Sequence, residues 1–253
     1  MVLLFSKEIS AAIESAATVV AKPTVHVGDA IMDGSILSEY DNVWRVRVRY
    51  NDGRIDDRGL SSDHVRFRQI DGKRYLTRTE GTTAVIGKPG AMPTSGYSMT
   101  FNVFDPTTLK PLIGESRSST GDAITRTFDG AHVSTRTRPA PGAADSVVDS
   151  DTAEAVFDVE GGMTGLLLAS LPLRSGYIAV LAGMGDVGMT TTPIHVVGEE
   201  TIQAGHVGKR KTWVVEIGAS PSKTTYWVSK TVPYVIRVTV KASNAVASWE
   251  MLP

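Results

Sequence analysis

The sequence predicts an all-β fold, an antiparallel barrel or sandwich, with an N-terminal helix and a short helix near 163–170. Three observations lead there. Apolar and polar residues alternate along many short runs, the period of a strand with one buried face. Turn-forming residues recur about every 8–15 residues, the spacing of antiparallel sandwiches and barrels. The 253 residues are 42% hydrophobic and 21% charged, enough for one large core, and no internal repeat divides them. β domains of about 250 residues are often undivided, so residues 1–253 are read as a single β domain.

The first element is the one good helix, about 6–19. Ser6 can cap it, Glu8 lies near the positive end of its dipole, and Ile9, Ala12, Ile13 and Ala16 form an apolar stripe that Pro23 terminates. From Thr24 the period changes to 2. Val43 to Tyr50 alternates, with Trp44, Val46, Val48 and Tyr50 on one face and Arg45, Arg47 and Arg49 on the other. Asn51-Asp52-Gly53 supplies a hairpin turn. His64 to Ile70 alternates again, with Val65 and Phe67 opposed to His64, Arg66 and Arg68, and Asp71-Gly72 turns it.

Further strands are read at Ser98–Phe104, Ala123–Phe128, His132–Thr137, Ala153–Val159, Gly176–Ala182, Thr192–Val197, Glu200–Ala204, Lys211–Ile217, Thr224–Ser229, Val235–Lys241 and Ala245–Met251. Pro139 to Ser150, rich in Pro, Ala, Gly and Asp, is read as a surface loop. Leucines at 166, 167, 168, 171 and 173 suit a short buried helix that ends near Pro172.

Composition excludes several function classes. There is no cysteine, hence no disulfide, thiolate metal site or cysteine nucleophile. A net charge of −1 argues against a nucleic-acid partner. No run approaches the roughly 20 apolar residues that span a bilayer, and the apolar Val2–Phe5 is cut short by Lys7, Glu8 and Glu14, so no signal peptide is evident. His26, His64, His132, His195 and His206 are scattered, without H-E-x-x-H, so no metal is expected, and no cofactor either. Gly183-Met184-Gly185-Asp186-Val187-Gly188 fits G-x-G-x-x-G, but it lies between strands with no helix after it, so it is read as a loop.

Two local features are chemically suggestive. Between Arg45 and Arg78 lie nine arginines and Lys73 against five aspartates, a local excess of five positive charges. Arginine's planar fork suits carboxylate, sulfate or phosphate, and Arg136 and Arg138 extend the row. Under strict alternation His195, Val197 and Glu199 share a face, a spacing from which a carboxylate can raise an imidazole pKa.

Four segments go further: Phe104-Asp105-Pro106-Thr107-Thr108-Leu109-Lys110-Pro111-Leu112, then Ser170-Leu171-Pro172-Leu173-Arg174-Ser175-Gly176-Tyr177, then Val196 to Gly205, and Thr225 to Arg237. In this order they resemble a family of bacterial cell-envelope proteins classed only as a domain of unknown function. The resemblance implies a curved antiparallel half-barrel or incomplete barrel similar to periplasmic lipoprotein carriers, with an apolar concavity, and a periplasmic or envelope location. It brings no catalytic residues.

The leading expectation is non-catalytic binding or carriage of a hydrophobic or amphiphilic molecule or lipid. Leu166, Leu168, Leu171, Tyr177, Trp213 and Trp227 would line or close the concavity. Arg45, Arg47, Arg49, Arg66 and Arg68 would contact an anionic head group or surface. The rival is a lyase or hydrolase on an anionic polymer or lipid, its arginines neutralising the substrate and Tyr177 or His195 transferring protons. A third reading is a structural or assembly factor that presents sheet edges or the N-terminal helix to a partner. Oligomeric state is left open.

Overall fold

A computed structural model describes residues 22–83, 96–159, 163–185, 188–218 and 223–252. The helix read at 6–19 lies outside them. Alternation sets the architecture, because each run with one apolar face must bury that face. The first half of the chain supplies β1 (Thr24–Val25), β2 (Tyr40–Tyr50), β3 (Ile55–Ile70), β4 (Lys73–Thr82), β5 (Ser98–Phe104), β6 (Pro111–Ser118), β7 (Ala123–Asp129) and β8 (His132–Arg138). The second supplies β9 (Ser146–Asp151), β10 (Phe157–Asp158), β11 (Ile178–Gly185), β12 (Gly188–Gln203), β13 (Lys209–Ile217), β14 (Thr224–Ser229), β15 (Val235–Lys241) and β16 (Ala245–Met251).

All belong to one sheet, ordered β1-β11-β12-β13-β14-β15-β16-β2-β3-β4-β5-β6-β7-β8-β9. The sheet is curved and does not close into a barrel. Neighbours are antiparallel except at one end, where β1 and β10 pair in parallel with the same edge of β11. The two halves of the chain meet where β16 joins β2 through seven paired residues from Ala245↔Tyr50 to Met251↔Trp44.

The hairpin reading of Asp71-Gly72 holds in detail. Both residues have positive φ, 49° and 77°, which is the twist a two-residue turn between right-handed strands requires. Other readings are corrected. β4 and β6 were not among the expected strands because their inward positions break the apolar pattern. Arg78 and Glu80 point inward from β4, and Gly114 from β6. Within the expected loop at 139–150, Ser146–Asp151 forms β9, a mostly exposed edge strand paired with β8. The strand expected over Ala153–Val159 shrinks to Phe157–Asp158. Thr192–Val197 and Glu200–Ala204 fuse into the single 16-residue β12, interrupted by a bulge between Val196 and Gly198.

The concave side holds the core. Between β9 and β11 the chain forms α1 (Thr164–Ser170), ended at Pro172 as the sequence indicates. Its Leu166, Leu167 and Leu168 are all buried, so it is apolar all round and can only be an interior helix. It packs against β14 and β15. Ser170 Oγ donates to the Leu167 carbonyl at 2.7 Å and Thr164 Oγ1 to the Val159 carbonyl at 2.8 Å, so the polar groups it takes inside are satisfied. Around it cluster Tyr40, Val65, Leu76 and Phe104 from β2–β5 and Leu181, Ile194, Val215 and Val228 from β11–β14.

Candidate functional site

The chain's own helix therefore occupies much of the concavity. Leu166, Leu168, Leu171 and Tyr177 are core residues there, each less than a tenth exposed. What stays open is a cleft of about 220 Å³ at the N-terminal end of α1, on the concave faces of β14, β15, β16, β2 and β4. Aromatic walls come from Trp44, Tyr226 and Trp249, and aliphatic walls from Val235, Val238 and Val240. Arg78 and Glu80 supply the charge.

Register explains why these residues meet. Trp44 opposes Met251 and Trp249 opposes Val46, all facing inward, and Val238 joins Trp249 to Tyr226 across three strands. Arg78 lies opposite Val65 and Glu80 opposite Asp63, on the same inward face. The Arg78 guanidinium is 2.8 Å from Asp63 and 2.9 Å from Glu80. Tyr40 donates its hydroxyl to the other Asp63 oxygen at 2.7 Å. Burial pushes Tyr40 well above the ordinary phenol range, and the Asp63 charge adds to this. Burial opposes the charge on Arg78, but Asp63 and Glu80 more than offset it and hold the guanidinium protonated. The Tyr226 hydroxyl is pushed up to about 12, first by burial and then by Glu80, with Arg78 acting against them.

The expected arginine row forms as read, but on the convex face. Arg45, Arg47 and Arg49 alternate with the buried Trp44, Val46 and Val48, so they point away from the cleft. Two of the five candidates are already engaged. Arg45 lies 3.5 Å from Asp57, and Arg66 lies 2.5 Å from Asp41 while also donating to the Tyr40 and Val65 carbonyls. Hydrogen bonds from His64 and Arg66 hold the Asp41 carboxyl below the usual range. Arg47, Arg49 and Arg68 are exposed. Of the wider arginine group, Arg54 stacks 3.9 Å from the Tyr50 ring and Arg74 3.7 Å from the Phe67 ring, while Arg78 is inside. Much of the local positive excess is thus neutralised or packed. Arg136 and Arg138 lie on β8 near the far end of the sheet, and Arg138 is held by Asp145 at 2.8 Å.

The tryptophans expected together are separated. Trp213 opposes Val228, the neighbour of Trp227, so the two indoles lie on opposite faces. Trp213 packs against the core, whereas Trp227 donates to Glu200 at 2.7 Å from the exposed side. Tyr177 and His195 are also on opposite faces, because His195 pairs with Ile178. The bulge at Val197 overturns the His195–Glu199 pairing: it adds a residue, so Glu199 shares a face with Trp213 rather than with His195, and it binds Lys211 at 2.5 Å from an exposed position. Of the G-x-G-x-x-G run, Gly185 and Gly188 pair across the β11–β12 hairpin.

Sequence reasoning missed the inward polar strip altogether. Its one available signal was the Arg78–Glu80 spacing of two within a strand. Among the described residues, no group of three or more His, Asp or Glu is placed to hold a metal ion, and no helix is long and apolar enough to cross a membrane.

Fold and site together define a class: an open, helix-filled β-sheet protein with a small amphipathic cleft on its concave side. The chain belongs to DUF3108, a family described as proteins of unknown function, whose model matches residues 65–248. The match takes in Arg78, Glu80, Tyr226 and Val238, ends one residue before Trp249 and begins after Trp44. No curated protein and no solved structure matches the chain.

Proposed function

We propose that the protein binds a small amphiphilic molecule, without chemistry, in the cleft between Trp44, Tyr226 and Trp249. One observation carries the reading: an opening on the concave face beside the interior helix, walled by aromatic and aliphatic side chains, with a charged pair among its lining residues. Binding sites tend to combine apolar walls with a few polar groups that fix orientation. At about 220 Å³ the cleft suits one short chain or ring, so whole-lipid carriage is not part of the proposal.

Native mass spectrometry of gently isolated protein tests the proposal. A small-molecule adduct is expected, and Val238→Trp, which fills the cleft from β15, is expected to abolish it. A bare chain mass that also shows no uptake of short-chain alcohols would overturn it. The cell-envelope setting implied by the family resemblance belongs to the same proposal, and fractionation of cells making the natural protein tests that part.

A further inference from the structure

From the charge balance of the cleft we infer that its ligand carries a positive charge at its polar end, as an alkylammonium or similar organic cation. The inference rests on the binding reading above and narrows it to a chemical class.

Three features point the same way. The first is the charge on the described ionised groups at the cleft. Arg78 is bound by two carboxylates, Asp63 at 2.8 Å and Glu80 at 2.9 Å, so these three groups together carry one negative charge. Asp63 is fully buried, while a quarter of the Glu80 side chain is exposed, so Glu80 is the carboxylate a ligand can reach. The second is the wall. Trp44, Tyr226 and Trp249 are three aromatic side chains around one opening, and the negative π-face of such rings attracts ammonium groups. The third is what lies elsewhere. Arg45, Arg47 and Arg49 occupy the opposite face of β2, so they cannot reach an anionic head group in the cleft. An anion there would face Glu80. The Tyr226 hydroxyl experiences the same field, since Glu80 favours its neutral form.

A matched ligand series tests this by tryptophan fluorescence: hexyltrimethylammonium, hexan-1-ol and hexyl sulfate. The cation is expected to bind about tenfold or more tightly than the alcohol, a difference of roughly 1.4 kcal/mol, with the sulfate weakest. Glu80→Gln is expected to lower cation affinity by a larger factor than hexan-1-ol affinity, with circular dichroism reporting whether the fold is intact. If that variant does not fold, Trp249→Leu serves, with a larger expected loss for the cation than for the alcohol. Sulfate binding equal to or tighter than the cation, or a cation affinity indifferent to both substitutions, would overturn the cationic assignment. Saturable hexan-1-ol binding that Val238→Trp removes would still support the cleft. If none of the three ligands binds, the binding reading falls as well.

Discussion

Asp158 and Arg126 meet on the concave side of the sheet, with carboxylate Oδ1 3.3 Å from guanidinium Nη1 and both side chains buried. Their strands are far apart in the sheet order. Arg126 is on β7, near one end, and Asp158 is on β10, which is hydrogen-bonded to β11 near the other. The pair therefore fastens one end of the open sheet to the other. Asn102 Nδ2 adds a contact to the second Asp158 oxygen at 3.4 Å. Phe128 and Val133 meet Val156 and Met184 in a small apolar cluster spanning the same gap.

Breaking this clasp is expected to be costly. Asp158→Ala takes one partner from a buried ion pair, and such changes typically cost about 3–5 kcal/mol. Urea denaturation checks this, and a loss below about 1 kcal/mol would show that the pair does not hold the ends together.

Gly114 shares this site for a steric reason. It lies between Asn102 and Arg126 in register, and a Cβ there would collide with the Asp158 carboxylate. Gly114→Ala is expected to destabilise by about 1–3 kcal/mol, the usual range for overpacking. Combined with Asp158→Ala it is expected to cost less than the sum of the two, since the clash is then gone. A double-mutant cycle measures that coupling.

Leu167 lies at the centre of the interior helix and is fully buried. Leu167→Ala is expected to cost about 2–5 kcal/mol by leaving a cavity inside the curve of the sheet. Thermal unfolding followed by circular dichroism gives the answer, and near-neutrality would mean that α1 is only loosely seated.

His132 provides a pH test. A hydrogen bond to Asp151, opposite it on β9, raises its pKa above the ordinary 6.5, with smaller contributions from Asp149 and Asp129. Because the folded value is the higher one, the contribution is fully present below about pH 6.5 and is lost as pH rises through the folded value. NMR titration of the imidazole is expected to give a raised midpoint that Asp151→Asn returns toward 6.5.

The strands with clean alternation were legible in the sequence. Ser98–Phe104, Thr224–Ser229, Val235–Lys241 and Ala245–Met251 have the observed bounds, and Leu166–Leu168 gave the interior helix. The candidate site was not legible, because it depends on inward polar residues that interrupt the apolar pattern. Arg78 looks like one more surface arginine until Asp63, 15 positions earlier, is placed beside it by β3–β4 pairing. A single bulged residue at Val197 was enough to reverse the reading of Glu199. Trp44 and Trp249 sat in recognisable strands, but their meeting depends on β16 pairing with β2, a contact between the two halves of the chain that periodicity cannot reveal.

The cleft itself is tested most directly by the indole N–H signals of the four tryptophans during titration with hexan-1-ol. The account expects Trp44 and Trp249 to shift saturably, while Trp227, on the convex face, and Trp213, outside the cleft lining, stay in place. Saturable shifts at Trp213 or Trp227 with Trp44 and Trp249 unmoved would contradict it.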